Sequence, residues 1–91
     1  MWRVAYSRRA IRDLTAIYRY ISLDNPIAAV RMLTALYAAC DGLSHFPERG
    51  RRGSRGRTRE LTTVAPYIIE YRFLAGREVE ILAVWHGAQR R

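Results

Sequence analysis

The chain has 91 residues, of which 49% are hydrophobic and 26% are charged. That length fits one compact domain covering residues 1–91, and the hydrophobic content is too high for an intrinsically disordered chain. Sixteen basic residues stand against eight acidic ones, which gives a net charge of +8, and every basic residue is arginine. Because the guanidinium group binds phosphates and carboxylates through paired hydrogen bonds, this charge predicts an anionic partner, either nucleic acid or an acidic protein.

Several other kinds of site are excluded by what the sequence lacks. Cys40 is the only cysteine, so no internal disulfide can form, and no cluster of Cys and His has the spacing of a zinc site. The first residues contain no apolar run like that of a secretory signal, and no stretch approaches the roughly 18 apolar residues of a membrane-spanning helix. We therefore expect a reduced, cytoplasmic protein with no metal, no cofactor and no contact with a membrane.

The first half of the chain is expected to form one strand and two helices. Trp2, Val4 and Tyr6 alternate with Arg3 and Ala5, which predicts a short strand over 2–6. Ser7 is suited to cap the helix that follows. Apolar residues then recur at helical spacing over 10–21. Asn25 and Pro26 are typical of the cap and first position of a second helix. Because the connecting loop is short, the two helices should pack as an antiparallel hairpin.

A strongly basic loop follows the second helix. Pro47 disfavours helical geometry at the preceding residue and is expected to end that helix. The segment 47–57 holds five arginines and three glycines, and we expect no packed element within it. Its arginines could neutralise phosphates or receive a carboxylate-rich peptide, or they could form a solvated run of charge. We favour a binding role for these arginines, which are Arg49, Arg51, Arg52, Arg55 and Arg57.

The second half of the chain predicts three antiparallel strands, at about 58–64, 67–74 and 78–86. In the last two, side chains alternate between two faces of the sheet. The odd-numbered face is uniformly apolar in the third strand, so we expect the helical hairpin to cover that face. The predicted fold class is α+β: an N-terminal strand and an antiparallel helix hairpin packed on an antiparallel β-sheet, in the order β-α-α-β-β-β.

The loop between the last two strands fixes their register. A three-residue loop at 75–77 keeps apolar residues opposite apolar ones, and it places Arg72 opposite Glu80 and His86 opposite Pro66. On the open, even-numbered face, a nuclease could use Arg72 to steady a charged phosphorane and His86 as general acid or base. The alternative is an Arg72–Glu80 ion pair beside a strand-end histidine. We favour the ion pair for Arg72 and leave the role of His86 open.

Six strings in the right order resemble the RelE/ParE superfamily of bacterial toxins, over about residues 4–89. In chain order they are Ala10-x-x-Asp13-Leu14-x-x-Ile17-x-x-Tyr20-Ile21, Asp24-Asn25-Pro26-x-Ala28-Ala29, Leu43-x-x-Phe46-Pro47-Glu48-x-Gly50-Arg51, Gly56-x-Thr58-Arg59-Glu60-Leu61, Pro66-Tyr67-x-Ile69-x-Tyr71-Arg72 and Val79-x-Ile81-Leu82-x-Val84-Trp85-His86-Gly87-Ala88. The resemblance implies the toxin half of a type II toxin–antitoxin module. It also implies a partner, a small DNA-binding antitoxin encoded beside the toxin, whose acidic C-terminal segment folds onto it.

The superfamily resemblance leaves two mechanisms to compare. RelE-like members cut mRNA in the ribosomal A site and carry a basic residue directly after the aromatic that here is Tyr67. In this chain that position is Ile68, and no tyrosine follows His86, so only Arg59, Arg72 and His86 remain as candidate nuclease residues. ParE-like members poison DNA gyrase through protein contacts. The chain resembles them more closely, so we expect gyrase as target, no catalytic residues, and ribosome-dependent mRNA cleavage as the alternative.

The expected contact surface for target or antitoxin combines the basic loop with the end of the last strand. The loop and the strand after it supply most of the cations, and the chain end adds two more arginines. The predicted contact residues are Arg49, Arg51, Arg52, Arg55, Arg57, Arg59, Trp85, His86, Arg90 and Arg91.

Overall fold

The computed structural model describes residues 1–53 and 56–88, which form two helices and one five-stranded sheet. The strand order is β1-β5-β4-β3-β2; β1 runs parallel to β5 and the other neighbours are antiparallel. The predicted α+β class is confirmed, with a sheet that is mixed because of β1. The elements are β1 (Arg3–Tyr6), α1 (Arg8–Ser22), α2 (Pro26–Gly42), β2 (Arg51–Arg52), β3 (Thr58–Leu61), β4 (Tyr67–Leu74) and β5 (Glu78–His86).

Both predicted helix starts are confirmed by their capping bonds. Ser7 Oγ accepts a hydrogen bond from the Ala10 N–H at 3.0 Å, and Asn25 Oδ1 accepts one from the Ala28 N–H at 3.0 Å. Each bond satisfies one of the N–H groups that the first turn of a helix leaves without a partner. The prediction that Pro47 ends α2 is wrong. The helix already stops at Gly42, and the chain continues in tighter turns before Pro47. No helix in the described part of the chain is long and apolar enough to cross a membrane.

The hydrophobic core lies between the helical hairpin and one face of the sheet. Near the β4–β5 turn this face is the predicted odd-numbered one, where Tyr71, Val79 and Ile81 are fully buried. On the helices the expected stripes are buried only in part, since Ile11 and Tyr18 remain 50% and 41% exposed. The buried cluster consists of Ala10, Leu14, Ile17, Leu36, Cys40, Leu43, Leu61, Tyr67, Ile69, Tyr71, Val79, Ile81 and Val84.

The turn register is as predicted, but β5 contains a bulge. Arg72 lies opposite Glu80, as the three-residue loop requires. Leu82 is an extra residue in β5, so the register shifts by one residue between Tyr71 and Glu70. From the bulge to the end of β5 the pairing differs from the predicted one, and His86 lies opposite Tyr67 instead of Pro66. A one-residue shift exchanges the two faces of a strand. Beyond the bulge the predicted odd-numbered core face is therefore wrong for β5: Val84 packs in the core, and His86 lies on the helix side of the sheet.

The basic loop is also more ordered than predicted. Arg51 and Arg52 form a short edge strand, β2, antiparallel to β3, whereas no packed element was expected within 47–57. The strand that follows is shorter than predicted, since β3 ends at Leu61 and not at residue 64. The added strand pairing uses backbone hydrogen bonds, which do not depend on side-chain polarity, so a run of arginines does not prevent it.

Cys40 is fully buried, and this gives a testable chemical property. Burial disfavours the thiolate and, with a smaller contribution from the Asp41 charge, raises the pKa of the Cys40 thiol from 9.0 to about 12. At about pH 8 only about one thiol in ten thousand is then ionised, so the folded protein should react with a disulfide reagent at least about a hundredfold more slowly than the unfolded chain. Equal rates before and after unfolding in guanidinium would contradict this.

The same shift has a consequence for stability at high pH. Because the pKa of the thiol is higher in the folded than in the unfolded chain, burial of Cys40 contributes stability below about pH 9. That contribution is lost as the pH rises towards 12. The free energy of unfolding, measured with denaturant, should therefore fall as the pH rises above about 9. The fall should be smaller in Cys40→Ala than in the native protein.

Candidate functional site

Among the described residues, two ion pairs lie on the open face of strands β2 to β5. Arg72 donates to Glu80 Oε1 from Nε at 2.9 Å and from Nη2 at 2.8 Å, which confirms the predicted pair. Arg51 pairs with Glu60 at 3.1 Å, and Glu60 lies opposite Glu70, which is only 7% exposed. Three glutamates thus surround the two arginines. A phosphate group at this face would meet carboxylates as well as cations that are already neutralised.

The end of β5 is fixed to the first helix by two hydrogen bonds. Ser7 Oγ donates to the Leu82 carbonyl oxygen at 2.9 Å, and Asp13 Oδ2 accepts from the Val84 N–H at 2.9 Å. Beyond Tyr6 the β1 strand has ended, so the outer edge of β5 has no strand beside it and α1 supplies these partners instead. Asp13 and Ser7 thereby hold the bulge and the strand end that carries Trp85 and His86.

A groove of about 500 Å³ lies between α1 and this strand end. His86 makes an edge-on ring contact with Tyr67 at 5.6 Å, and its Nδ1 accepts a hydrogen bond from the Ala88 N–H at 3.0 Å, which requires Nδ1 to carry no proton. Burial, together with the nearby Tyr20, raises the pKa of the Tyr67 phenol. Tyr20 itself is 75% exposed. The groove is lined by Asp13, Ala16, Ile17, Tyr20, Tyr67, Val84, Trp85 and His86.

The three candidate nuclease residues are not brought together. Arg72 lies on the open face, whereas His86 lies on the helix side, and six residues of β5 separate His86 from the Arg72 partner Glu80, a span of roughly 20 Å. Arg59 is on the helix side, opposite Tyr71, near the other end of the sheet from His86. A general acid or base must reach the reacting group within hydrogen-bond distance. No single phosphate could contact all three residues in this arrangement.

Arg59 and Tyr71 hold the basic loop in place. Tyr71 Oη donates to the Pro47 carbonyl oxygen at 2.7 Å and accepts from the Gly50 N–H at 2.9 Å. Arg59 Nη1 donates to the carbonyl oxygens of Gly50 at 2.8 Å and Glu48 at 3.3 Å. Burial raises the pKa of the Tyr71 phenol, so it remains a donor at neutral pH. The loop that carries the predicted binding arginines is therefore fixed by side chains of β3 and β4.

Those predicted contact residues that the structure describes fall into four groups. Arg49 is exposed beside Phe46, which is itself 68% exposed, in a recess of about 740 Å³. Arg51 faces the open side of the sheet and pairs with Glu60, while Trp85 and His86 line the groove. Arg52, Arg57 and Arg59 lie together around Phe73. The predictions for Arg55, Arg90 and Arg91 lie outside the described residues.

The positioning residues were missed by sequence reasoning. Ser7 was predicted only as a helix cap, and nothing pointed to Asp13 as the acceptor for Val84. Tyr71 and Gly50 do stand within the strings that carried the family resemblance, and this was the one available signal. Within the described residues, no group of three or more His, Cys, Asp and Glu side chains could hold a metal ion.

Comparisons with known proteins agree with one another over nearly the whole chain. A family model for the ParE toxin of the type II toxin–antitoxin system, parDE, matches residues 4–91. Toxin RelE2 of Caulobacter vibrioides is 43% identical over 89 residues, which is 98% of this chain and 99% of that protein. Putative toxin Y4kP of Sinorhizobium fredii is 43% identical over 88 residues, which is 96% of this chain and 90% of that protein.

The fold is shared by solved structures of toxin–antitoxin systems. The chromosomal ParDE system from P. aeruginosa superposes with a TM-score of 0.81 at 27% identity, covering 94% of this chain and 96% of the other. The toxin–antitoxin complex RelBE2 from Mycobacterium tuberculosis gives a TM-score of 0.70 at 27% identity, covering 93% and 96%. Because the family match, the relatives and the fold all agree, the chain belongs to the ParE/RelE family of toxins from type II toxin–antitoxin systems.

Proposed function

We propose that this protein is a ParE-like toxin that inhibits DNA gyrase through protein contacts, without catalytic residues, and that a cognate acidic antitoxin neutralises it in the cytoplasm. The observation that carries this proposal is the separation of Arg59, Arg72 and His86 onto different faces and ends of the sheet. Both structural neighbours are toxin–antitoxin systems, which supports the antitoxin as partner. The excess of positive charge fits an acidic antitoxin and a DNA-bound target.

The charges on the open face support a non-catalytic mechanism. A nuclease stabilises the charge that develops on the phosphate with cations placed within hydrogen-bond distance. Arg72 and Arg51 are each bound to a glutamate, and Ile68 supplies no charge where RelE-like members carry a basic residue. A phosphate would have to displace Glu80 or Glu60 before it could bind either arginine.

Purified protein added to DNA gyrase, ATP and supercoiled plasmid should give gyrase-linked, cleaved DNA that appears as linear plasmid after protease treatment. Arg72→Gln should leave the yield within about twofold, because Arg72 serves an exposed cross-strand pair worth only about 0.2–1 kcal/mol. Native protein with plasmid but without gyrase is the control for carry-over of nucleases. No cleavage product at high toxin concentration, together with unchanged supercoiling of relaxed plasmid by gyrase, would contradict gyrase as the target.

The alternative is RelE-like, ribosome-dependent cleavage of mRNA. It is favoured by the names of two relatives, Toxin RelE2 and Toxin RelE1 of Caulobacter vibrioides, the second 36% identical over 91 residues. Primer extension on a translated message, with native protein and with His86→Ala, tests this alternative. Cleavage by the native protein that is lost in His86→Ala would establish it in place of the gyrase mechanism. Equal toxicity of both proteins without cleavage would count against it.

A further inference from the structure

Three arginines meet in one recess beside the β4–β5 turn. The recess has a volume of about 370 Å³. Among the described residues its lining contains no carboxylate and comprises Arg52, Gly56, Arg57, Thr58, Arg59 and Phe73. Arg52 and Arg57 are exposed, and Arg59 is partly buried. Within the described residues, ion pairs occur at Arg9, Arg51 and Arg72 and at none of these three arginines. We call this site the arginine recess.

The pairing of Arg52 with Arg59 is unfavourable for stability. The two residues lie directly opposite each other across β2 and β3. The Gly53 N–H donates to the Thr58 carbonyl oxygen at 2.8 Å, so the neighbouring Arg52–Arg59 pair is one without backbone hydrogen bonds, in which side chains lie closest. Like charges directly opposite each other destabilise a sheet. An anion bound between these guanidinium groups would remove that repulsion.

The surroundings of Phe73 favour a carboxylate over a nucleobase as the bound group. The Arg59 Cζ atom lies 5.6 Å from the centroid of the Phe73 ring. The centroid of the Trp2 ring lies 5.3 Å from it with the planes tilted by 50°, and that of Tyr71 lies 6.1 Å from it in an edge-on contact. A single-stranded nucleic acid stacks its bases on open aromatic faces. Phe73 is 37% exposed, but Arg59 and Trp2 already pack against its ring. The guanidinium groups of Arg52 and Arg57 remain available, and their geometry matches a carboxylate with two parallel hydrogen bonds.

We propose that the arginine recess receives Asp or Glu side chains from the acidic segment of the cognate antitoxin. This inference rests on the proposed neutralisation by an acidic antitoxin and specifies where its carboxylates bind. Arg59 supplies a fixed charge, because its guanidinium is held by the carbonyl oxygens of Gly50 and Glu48. Arg52 and Arg57 are exposed and close on the carboxylate from the two sides of the hairpin. The antitoxin thus neutralises a repulsion that the free toxin carries.

The test compares two double variants that lose the same charge. Arg52→Gln with Arg57→Gln changes the recess and leaves Arg59 to hold the loop. Arg19→Gln with Arg31→Gln removes two exposed arginines, one from α1 and one from α2, that do not line the recess. Calorimetric titration with full-length cognate antitoxin at about 0.15 M NaCl should show about tenfold or greater weakening for the recess variant. The helix variant should bind within about threefold of wild type.

Antitoxin affinity of the two variants decides whether the recess is the binding site. No weakening in the recess variant, or equal weakening in both variants, would overturn the proposal. A short DNA duplex is titrated in parallel, and loss of duplex binding with unchanged antitoxin affinity would assign the recess to nucleic acid and overturn it as well. Since antitoxin binding is measured without gyrase, failure of the gyrase assay would contradict the proposed target and would leave this comparison intact. Thermal unfolding of both variants confirms that each is folded.

Discussion

Replacing Gly50 with alanine is expected to lower the free energy of unfolding by about 2–4 kcal/mol. A Cβ at this position would stand 2.7 Å from Tyr71 Oη, 2.8 Å from Tyr71 Cε1 and 3.0 Å from the Glu60 carbonyl oxygen. Tyr71 cannot move aside at low cost, because its side chain is fully buried and its hydroxyl makes two hydrogen bonds to the loop. The substitution must therefore displace either the core tyrosine or the loop backbone.

Urea unfolding checks this result, and the chain offers a matched control. Gly42 is the last residue of α2, and a Cβ there would meet nothing within 4 Å. Gly42→Ala should be neutral or stabilising by up to about 1 kcal/mol, since alanine is the better helix former. Tyr71→Phe should cost about 1–3 kcal/mol because it leaves the Gly50 N–H without its acceptor. If Gly50→Ala were as mild as Gly42→Ala, the close packing of this loop would be contradicted.

The same contact links stability to function. The backbone that Tyr71 and Arg59 hold leads directly into Arg51 and Arg52, so the direction of those arginines depends on the buried hydroxyl of Tyr71. A partner that binds a fixed set of guanidinium groups loses less conformational entropy than one that must order a flexible loop. Tyr71→Phe should therefore weaken antitoxin binding even at temperatures where the variant is fully folded.

Local chemistry explains what could be predicted from the sequence. Ser7 and Asn25 cap helices through bonds to residues three positions away, and such bonds are visible in the sequence itself. The Arg72–Glu80 pair follows from the length of a turn. In each case the partners are separated by only a few residues or by a short loop, so spacing alone determines the contact.

Long-range contacts explain what could not be predicted. The bulge at Leu82 lies in a run, 81–85, in which every residue is apolar, so no alternation marks the shift. Its stabilising bond joins Asp13 to Val84 across 71 positions in the sequence. Similarly, the basic loop is recognisable by its charge, but the Tyr71 hydroxyl that orders it comes from 21 to 24 residues further along the chain. The candidate surface was therefore identified by composition, while its geometry was not.

The distribution of charge also changes how the arginine excess is understood. On the open face Arg51 of β2 and Arg72 of β4 each have a glutamate within 3.1 Å, so that part of the surface is largely self-neutralised. In the described part of the chain, the three arginines of the arginine recess form no ion pair, so their positive field is not neutralised by a bonded carboxylate. Such a field speeds the encounter with an acidic partner and is screened by salt. A docking surface needs this arrangement, whereas a phosphate-cleaving site needs cations that converge with an acid or base.

Asp13→Ala is expected to loosen the end of β5 and to destabilise the protein by about 1–3 kcal/mol. Its carboxylate accepts the Val84 N–H at 2.9 Å, and Val84 is only 3% exposed, so water cannot easily replace the lost acceptor. The rate of amide hydrogen exchange at Val84 should rise. The exchange rate at Ile69, its neighbour across the strand pair, should rise less, because the effect begins at the outer edge of β5. Asp13→Asn keeps an acceptor oxygen and should lose much less.

The strand end that Asp13 holds carries Trp85 and His86 and forms one side of the groove. The substitution therefore tests whether the groove contacts the target in addition to stabilising the fold. Asp24→Ala is the charge-matched control, since Asp24 is exposed in the loop between the helices. If the groove contributes to target contact, Asp13→Ala should lower the yield of gyrase-linked DNA by more than its unfolded fraction accounts for, while Asp24→Ala leaves the yield unchanged. Full activity of Asp13→Ala together with fast exchange at Val84 would show that the strand end can open without loss of function, and it would remove the groove from the target interface.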